Sequence, residues 1–154
     1  MRVIWSVFLS VAVAVAVGRL ASGPVGAAED DRELVKLPPA MQEHMLRNMR
    51  DHLAALDEML AALAEGDIGT ATEIAEKRLG MSSLSLHGAE HMAPAMPEGM
   101  RALGTQMHRA ASKFVIVAQD AELEPSKQAQ RDVYHALQEI TAACNACHQA
   151  YRIR

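Results

Sequence analysis

The only two cysteines of the chain stand in the segment Cys144-Asn145-Ala146-Cys147-His148. In a C-x-x-C-H segment the two thiols can form thioether bonds to the vinyl groups of haem, and the following imidazole can ligate the iron. On a helix, Cys144 and Cys147 lie one turn apart on one face, and His148 lies one turn beyond Cys144. The spacing therefore predicts one covalently attached haem c, bound by Cys144, Cys147 and His148, with His148 as an iron ligand.

The same cysteines allow a structural disulfide, a thioredoxin-like redox pair or half of a zinc site. A redox pair is expected where a strand leads into a helix of an α/β fold, and this sequence has no alternating strand pattern. A zinc site needs a second Cys or His pair at regular spacing, which the sequence does not offer. Haem attachment is the favoured interpretation.

The N-terminal residues 1–27 have the pattern of a secretory signal peptide. Arg2 is followed by an apolar run to Val17, and small residues end in Ala27 and Ala28. An uncleaved anchor is disfavoured because the apolar run is shorter than the roughly 20 residues that span a bilayer. We expect a bacterial periplasmic protein that begins at Ala28 or Glu29 and is not stably inserted in a membrane.

Charge and composition limit the partners and the core. The full chain has a net charge of −4, and removal of Arg2 and Arg19 with the signal lowers it to −6. Nucleic acid is therefore not an expected partner, because phosphate binding depends on clustered Lys and Arg. The mature chain keeps Phe114, Tyr134 and Tyr151 as its only aromatic residues. Its core must rely on Leu, Met and Ala, with a haem to supply bulk.

Apolar residues at steps of three and four predict four helices. Residues 28–38 are a charged lead-in, and residues 39–154 form the helical domain. The first helix, over 40–65, has the stripe Met45, Met49, Leu53, Leu56, Leu60 and Leu63. The second is expected to begin with Asp67 as N-cap and to run to about Ala89, although its stripe is weak.

Two further stripes complete the pattern after Pro94 and Pro97, which break helical hydrogen bonding. The third stripe is Met100, Leu103, Met107, Ala110, Phe114 and Val117, and the last is Val133, Leu137, Ile140, Cys144, Cys147 and Tyr151. Four helices of similar length with short connections predict an all-α antiparallel four-helix bundle that carries the haem on its last helix.

With the C-x-x-C-H segment on the last helix and Tyr151-Arg152 after it, the mature chain resembles the class II c-type cytochromes, the cytochrome c prime family. The resemblance implies that the haem lies inside the bundle and that Arg152 lies near a haem propionate. It also implies electron transfer with redox partner proteins rather than enzymatic catalysis, and homodimers formed through the first two helices.

In that family the first helix faces the distal side of the iron. Members with a methionine there are low-spin electron carriers, whereas members without one keep five-coordinate iron and bind small gases. Met45 and Met49 make this chain similar to the electron-transfer branch. The family position, counted back from Gly66, falls on Arg50. Met49 is the nearest thioether and is our predicted metal ligand, with Met45 as the alternative.

A second group of residues is rich in imidazole and thioether. His87 and His91 are four residues apart, as a metal pair on one helical face would be, and Met92, Met96, Met100, Met107 and His108 follow. Methionines also fill irregular cores and histidines also face solvent, which is the interpretation we favour. We expect no functional metal site here, and a His/Met metal-binding bundle is the third functional hypothesis after electron transfer and gas binding.

Overall fold

The computed structural model describes residues 29–154, and within them residues 31–154 form one compact unit. The predicted signal peptide, residues 1–27, lies outside the described residues. The described fold is all-α, as predicted. Five α-helices follow one another: α1 (Pro39–Ala64), α2 (Ile68–Ile74), α3 (Ala89–Met92), α4 (Glu98–Leu123) and α5 (Lys127–Ala150).

The helix starts follow from local chemistry. Prolines precede α1 and α4 at Pro38 and Pro97, where the fixed φ of proline suits entry into a helix. The side chain of Asp67 accepts a hydrogen bond from the Thr70 amide at 2.9 Å, which confirms Asp67 as the N-cap of α2. Ser126 caps α5 in the same way. The predicted bounds of the first helix differ by one residue from α1.

The prediction of one helix from Asp67 to Ala89 is wrong. The helix α2 continues as a π-helical segment, Ala75–Leu79, and ends at Gly80, whose backbone is extended. The 3-10 turn Met81–Ser83 follows, and a second 3-10 turn, Ala93–Ala95, follows α3.

Side-chain hydrogen bonds stabilise the break in the helix at Gly80. The Ser112 hydroxyl of α4 donates to the Glu76 carboxylate at 2.7 Å and accepts from the Met81 amide at 2.9 Å. The Ser82 hydroxyl donates to the Glu76 carbonyl at 2.8 Å. These tertiary hydrogen bonds make the turn more stable than a continued helix would be. The spacing of apolar residues cannot predict them.

The predicted buried face of α1 is rotated by one residue from the observed one. Leu53 is 69% exposed and Leu60 is 53% exposed. Met45 is buried as predicted, but the other buried residues of α1 are His52, Ala55, Met59 and Ala62. One residue is about 100° on a helix, and the small side chains of this face let other helices approach closely. A buried histidine was not expected at the centre of this face.

The buried side chains form two clusters. The Ala-rich cluster contains Phe114, Ile140 and Leu79 among alanines of α1, α2, α4 and α5. The Met-rich cluster is built on Val35, Met45, Met92 and Met100, with partly buried Met41, Met49, Met96, Cys147 and Tyr151 packed against it.

The lead-in and the C-terminus meet in a short parallel pairing. Strand β1 (Glu33–Leu34) pairs with β2 (Tyr151–Arg152). The Val35 amide donates to the Arg152 carbonyl at 2.8 Å. Tyr151 was predicted to continue the last helical stripe, but α5 ends one residue earlier because the chain turns into β2. Across residues 29–154, every helix falls short of the length or apolarity that crossing a bilayer requires.

Candidate functional site

A cavity of about 370 Å³ lies beside the Met-rich cluster. That volume is within the roughly 300–1,000 Å³ typical of small-molecule sites. Its walls come from α1, from the segment between residues 84 and 96, from α4 and from α5. The sulfur-bearing residues on the walls are Met45, Met49, Met92, Met96, Met100, Met107 and Cys147.

The cysteine motif adjoins this cavity. Cys147 is on the cavity wall and packs against the Met-rich cluster, whereas Cys144 packs against the Ala-rich cluster. Both side chains are half-buried and the two thiols form no disulfide. Burial raises the pKa of both thiols, which is opposite to the lowered thiol pKa of redox-active cysteines. These features disfavour the structural disulfide and the redox pair.

The other predicted site residues are not all on the cavity wall. Met45 and Met49 both line it, and Met45 is the more buried of the two. His148 lies in the last turn of α5 with an exposed side chain, and it does not line the cavity. Arg152 lies in β2 and is half-buried. The Cys147 thiol, the thioethers and the apolar cavity fit a haem group, whereas Cys144 and the exposed His148 do not line the cavity.

Three buried histidines meet at another part of the same wall. His52, His87 and His108 each offer a ring nitrogen, and these nitrogens all lie within 4.8 Å of one another. We call these residues the His cluster. His52 Nε2 and His87 Nδ1 are 3.4 Å apart. The three side chains are 7–8% exposed and all line the cavity.

The broken helix after α2 positions one of these imidazoles. The Leu79 carbonyl is at the end of the π-helical segment, and the extended Gly80 leaves this carbonyl without a helical partner further on. His108 Nδ1–H donates to the Leu79 carbonyl at 2.7 Å. This hydrogen bond fixes the ring of His108 and leaves the lone pair on its Nε2.

The backbone at His87 is held from α1. His44 Nε2–H donates to the His87 carbonyl at 2.8 Å, and the Asn48 amide donates to the same oxygen at 3.0 Å. The turn that carries His87 is therefore attached to the helix that carries His52.

Burial disfavours the protonated form of each imidazole in the His cluster. Burial lowers the pKa of His52 to about 3, with further lowering by the neighbouring His87 and His108. The pKa values of His87 and His108 are also lowered, and burial is the largest cause for each.

A surface ion-pair group lies next to His52. The Arg78 guanidinium of the π-helical segment binds the Asp51 carboxylate at 2.6 Å and the Glu58 carboxylate at 2.7 Å, both on α1. The hydrogen bond from Arg78 is the largest cause that holds the pKa of Asp51 below its usual value. These ion pairs connect α1 to the π-helical segment.

The alternative in which His87 and His91 form a metal pair on one helical face is wrong. His87 lies in a turn before α3 and is buried, whereas His91 lies within α3 and is exposed. The sequence interpretation missed His52 because it assigned position 53 to the core. The signal was present, since His52 is seven residues from both Met45 and Met59, and seven residues are about two helical turns.

The chain matches no known family model, no curated protein and no solved structure.

Proposed function

We propose that this chain is an exported electron carrier that holds one haem c through thioether bonds to Cys144 and Cys147. The single observation that carries the proposal is the C-x-x-C-H segment, whose second cysteine borders a methionine-lined cavity. When bound, a haem supplies a one-electron iron couple whose potential depends on axial ligands and on the surrounding dielectric.

The chain's own residues would set that potential. The methionine side chains of the cavity form a weakly polar wall that excludes water from a bound group. Met49 is our proposed distal ligand and Met45 is the alternative, because both reach the cavity from α1. The proposal requires the imidazole of His148 to turn inward from its exposed position in the last turn of α5. Arg152 is proposed to lie near a haem propionate.

The antiparallel four-helix bundle of the class II c-type cytochromes is part of the same proposal. Helix α2 with its π-helical extension would be the second helix, beside α1, α4 and α5. Its support is the shortness of two connections, residues 65–67 between α1 and α2 and residues 124–126 between α4 and α5. Short connections favour antiparallel neighbours.

Export to the periplasm of a bacterium also belongs to the proposal, with soluble redox proteins as partners and a homodimer as the assembly. Its support is the pattern of residues 1–27, followed by the charged segment that begins at Glu29. N-terminal sequencing of the purified protein should give Ala28 or Glu29 as the first residue. Membrane-bound protein that retains Met1 would contradict export with cleavage.

Optical spectra of the purified protein test the electron-transfer assignment. A methionine-ligated iron should be low-spin and should not bind carbon monoxide when reduced. The substitution Met49→Leu should produce high-spin iron that binds carbon monoxide, while the matched substitution Met45→Leu should leave the spectrum unchanged. Loss of low-spin character only in Met45→Leu would assign the ligand to Met45 instead.

The same spectra distinguish electron transfer from the alternative function, which is gas binding. A wild-type protein that is high-spin and binds carbon monoxide would be a five-coordinate gas-binding haem protein. That result would replace the electron-transfer proposal while leaving haem attachment intact.

A further inference from the structure

We infer that His52, His87 and His108 form a binding site for a late first-row divalent cation such as zinc or copper, with one coordination position open to the cavity. The inference does not depend on haem attachment, because none of its ligands belongs to the C-x-x-C-H segment. It concerns a different set of histidines from the His87 and His91 pair that the sequence suggested.

The distances are close to those of a metal site. Zinc binds imidazole nitrogen at about 2.0–2.1 Å in tetrahedral geometry, so two nitrogens on one ion lie about 3.3 Å apart. His52 Nε2 and His87 Nδ1 are 3.4 Å apart. The ligand nitrogens of all three residues lie within 4.8 Å of one another, so small ring rotations would bring His108 to the same ion.

The surroundings of the imidazoles are those that metal-binding histidines have. Such a histidine usually donates its other ring N–H to a backbone carbonyl or carboxylate, which fixes the tautomer and the ring plane. His108 does this with the Leu79 carbonyl at 2.7 Å. The His87 backbone is fixed by hydrogen bonds from His44 and Asn48.

Apart from the hydrogen bond of His108 to Leu79, the printed contacts of the ring nitrogens in the His cluster are long. His52 Nε2 and His87 Nδ1 are 3.4 Å apart, and Ser83 Oγ lies 3.5 Å from both His87 Nδ1 and His108 Nδ1. Each neutral imidazole has one N–H donor and one acceptor nitrogen. A metal ion would bind the lone pair of each of the three imidazoles.

The donor set narrows the class of ion. Imidazole nitrogen suits zinc, copper, nickel and iron, whereas calcium and magnesium require oxygen ligands. Three histidine ligands with one open position are the arrangement of a zinc site that accepts water or a small ligand, and the cavity adjoins that open position.

Zinc uptake by the exported full-length protein tests the inference. We expect one zinc ion per chain by equilibrium dialysis, with nitrogen ligands at about 2.0 Å and no sulfur ligand in the zinc X-ray absorption spectrum. The variant His108→Ala should bind zinc more than about 100-fold more weakly, because it lacks a ligand and not only an orienting partner. The matched control His91→Ala removes an exposed histidine and should bind zinc normally.

Two further variants show whether zinc binding depends on haem attachment or is lost only because a variant misfolds. The variant with Cys144→Ser and Cys147→Ser cannot attach haem and should still bind one zinc ion. The variant Asn48→Ala retains all three imidazoles but removes a hydrogen bond to the His87 carbonyl, and it should bind zinc about tenfold more weakly. Zinc should raise the Tm of the wild-type protein and leave the Tm of His108→Ala unchanged.

Three results would overturn the inference. These are no zinc uptake by the wild-type protein, uptake that His108→Ala does not weaken, or sulfur among the zinc ligands. If the first of these results is accompanied by a change of haem spin state in the His52, His87 or His108 variants, the histidines belong to the haem iron instead.

Discussion

The Ala-rich and Met-rich clusters differ in how their side chains pack between the helices. In the Ala-rich cluster, fully buried alanines such as Ala55, Ala71 and Ala111 allow the helices to approach closely around Phe114. In the Met-rich cluster, long flexible side chains surround a cavity of about 370 Å³. The comparison indicates that one part of the core maintains the fold and the other part receives a ligand.

Truncation of the largest buried side chain should produce the greatest loss of stability. Phe114 is 0% exposed, and Phe114→Ala should lower the free energy of unfolding by about 3–5 kcal/mol in urea denaturation. The matched change Met92→Ala, at a residue that lines the cavity, should cost about 2 kcal/mol because its side chain has fewer packed neighbours to lose. Equal losses would mean that the two clusters do not differ in packing.

The His cluster should make the metal-free protein sensitive to acid. The pKa of His52 is lowered to about 3, chiefly by burial and then by His87 and His108, while Asp51 raises it and Arg78 lowers it. Protonation therefore favours the unfolded state, in which a histidine has its ordinary pKa of about 6.5. This contribution to stability is complete above about pH 6.5 and declines as the pH falls toward 3.

Urea denaturation at several pH values, in the presence of a chelator, measures this decline. The variant His52→Gln should flatten the dependence between pH 6.5 and 3, the interval bounded by the ordinary and lowered pKa values. The control His91→Gln changes an exposed histidine of α3 and should leave the dependence in place. An unchanged slope in His52→Gln would show that His52 is not protonated on unfolding.

Replacing a glycine beside the His cluster by alanine should lower the free energy of unfolding, whereas the same replacement within a helix should raise it. Gly88 has a φ of +61°, and a Cβ there would lie 3.1 Å from His44 Nε2. Gly88→Ala should therefore lower the free energy of unfolding by about 1–2 kcal/mol. Gly104 is in the middle of α4 with open space around its Cα, so Gly104→Ala should raise stability by about 0.5–1 kcal/mol. Thermal unfolding of both variants tests the pair.

A smaller effect than that of Phe114→Ala is expected at the start of α5, away from both clusters. The Ser126 hydroxyl accepts a hydrogen bond from the Ala129 amide at 2.9 Å. Ser126→Ala should lower stability by about 1 kcal/mol, and Ser126→Asp should preserve it because aspartate also caps helices. A loss in Ser126→Asp as large as that in Ser126→Ala would contradict the capping role.

The predictability of the structure differs between long helices and the segment from 75 to 96. Apolar periodicity predicted α1 to within one residue at each end and predicted the existence of α4 and α5, because local sequence largely determines such long helices. The break at Gly80 depends on hydrogen bonds from Ser112, which is distant in sequence. Periodicity within one segment has no information about that partner.

The site was predictable only in part for a similar reason. The C-x-x-C-H segment carries its chemistry in adjacent residues, so Cys144 and Cys147 could be identified directly. The His cluster joins residues from α1, a turn and α4, and its members are separated by 35 and 21 positions in the chain. Only the fold brings them together, and the assignment of Leu53 to the core concealed the buried position of His52.

Covalent haem attachment is the central claim, and acid extraction into organic solvent tests it most directly. The extracted wild-type polypeptide should retain its haem, detected as haem absorbance and added mass on the intact chain, because two thioether bonds survive denaturation. The variant with both Cys144→Ser and Cys147→Ser should release all of it. A wild-type chain that loses its haem on extraction, or that contains none after expression with haem-attachment machinery, would contradict the account.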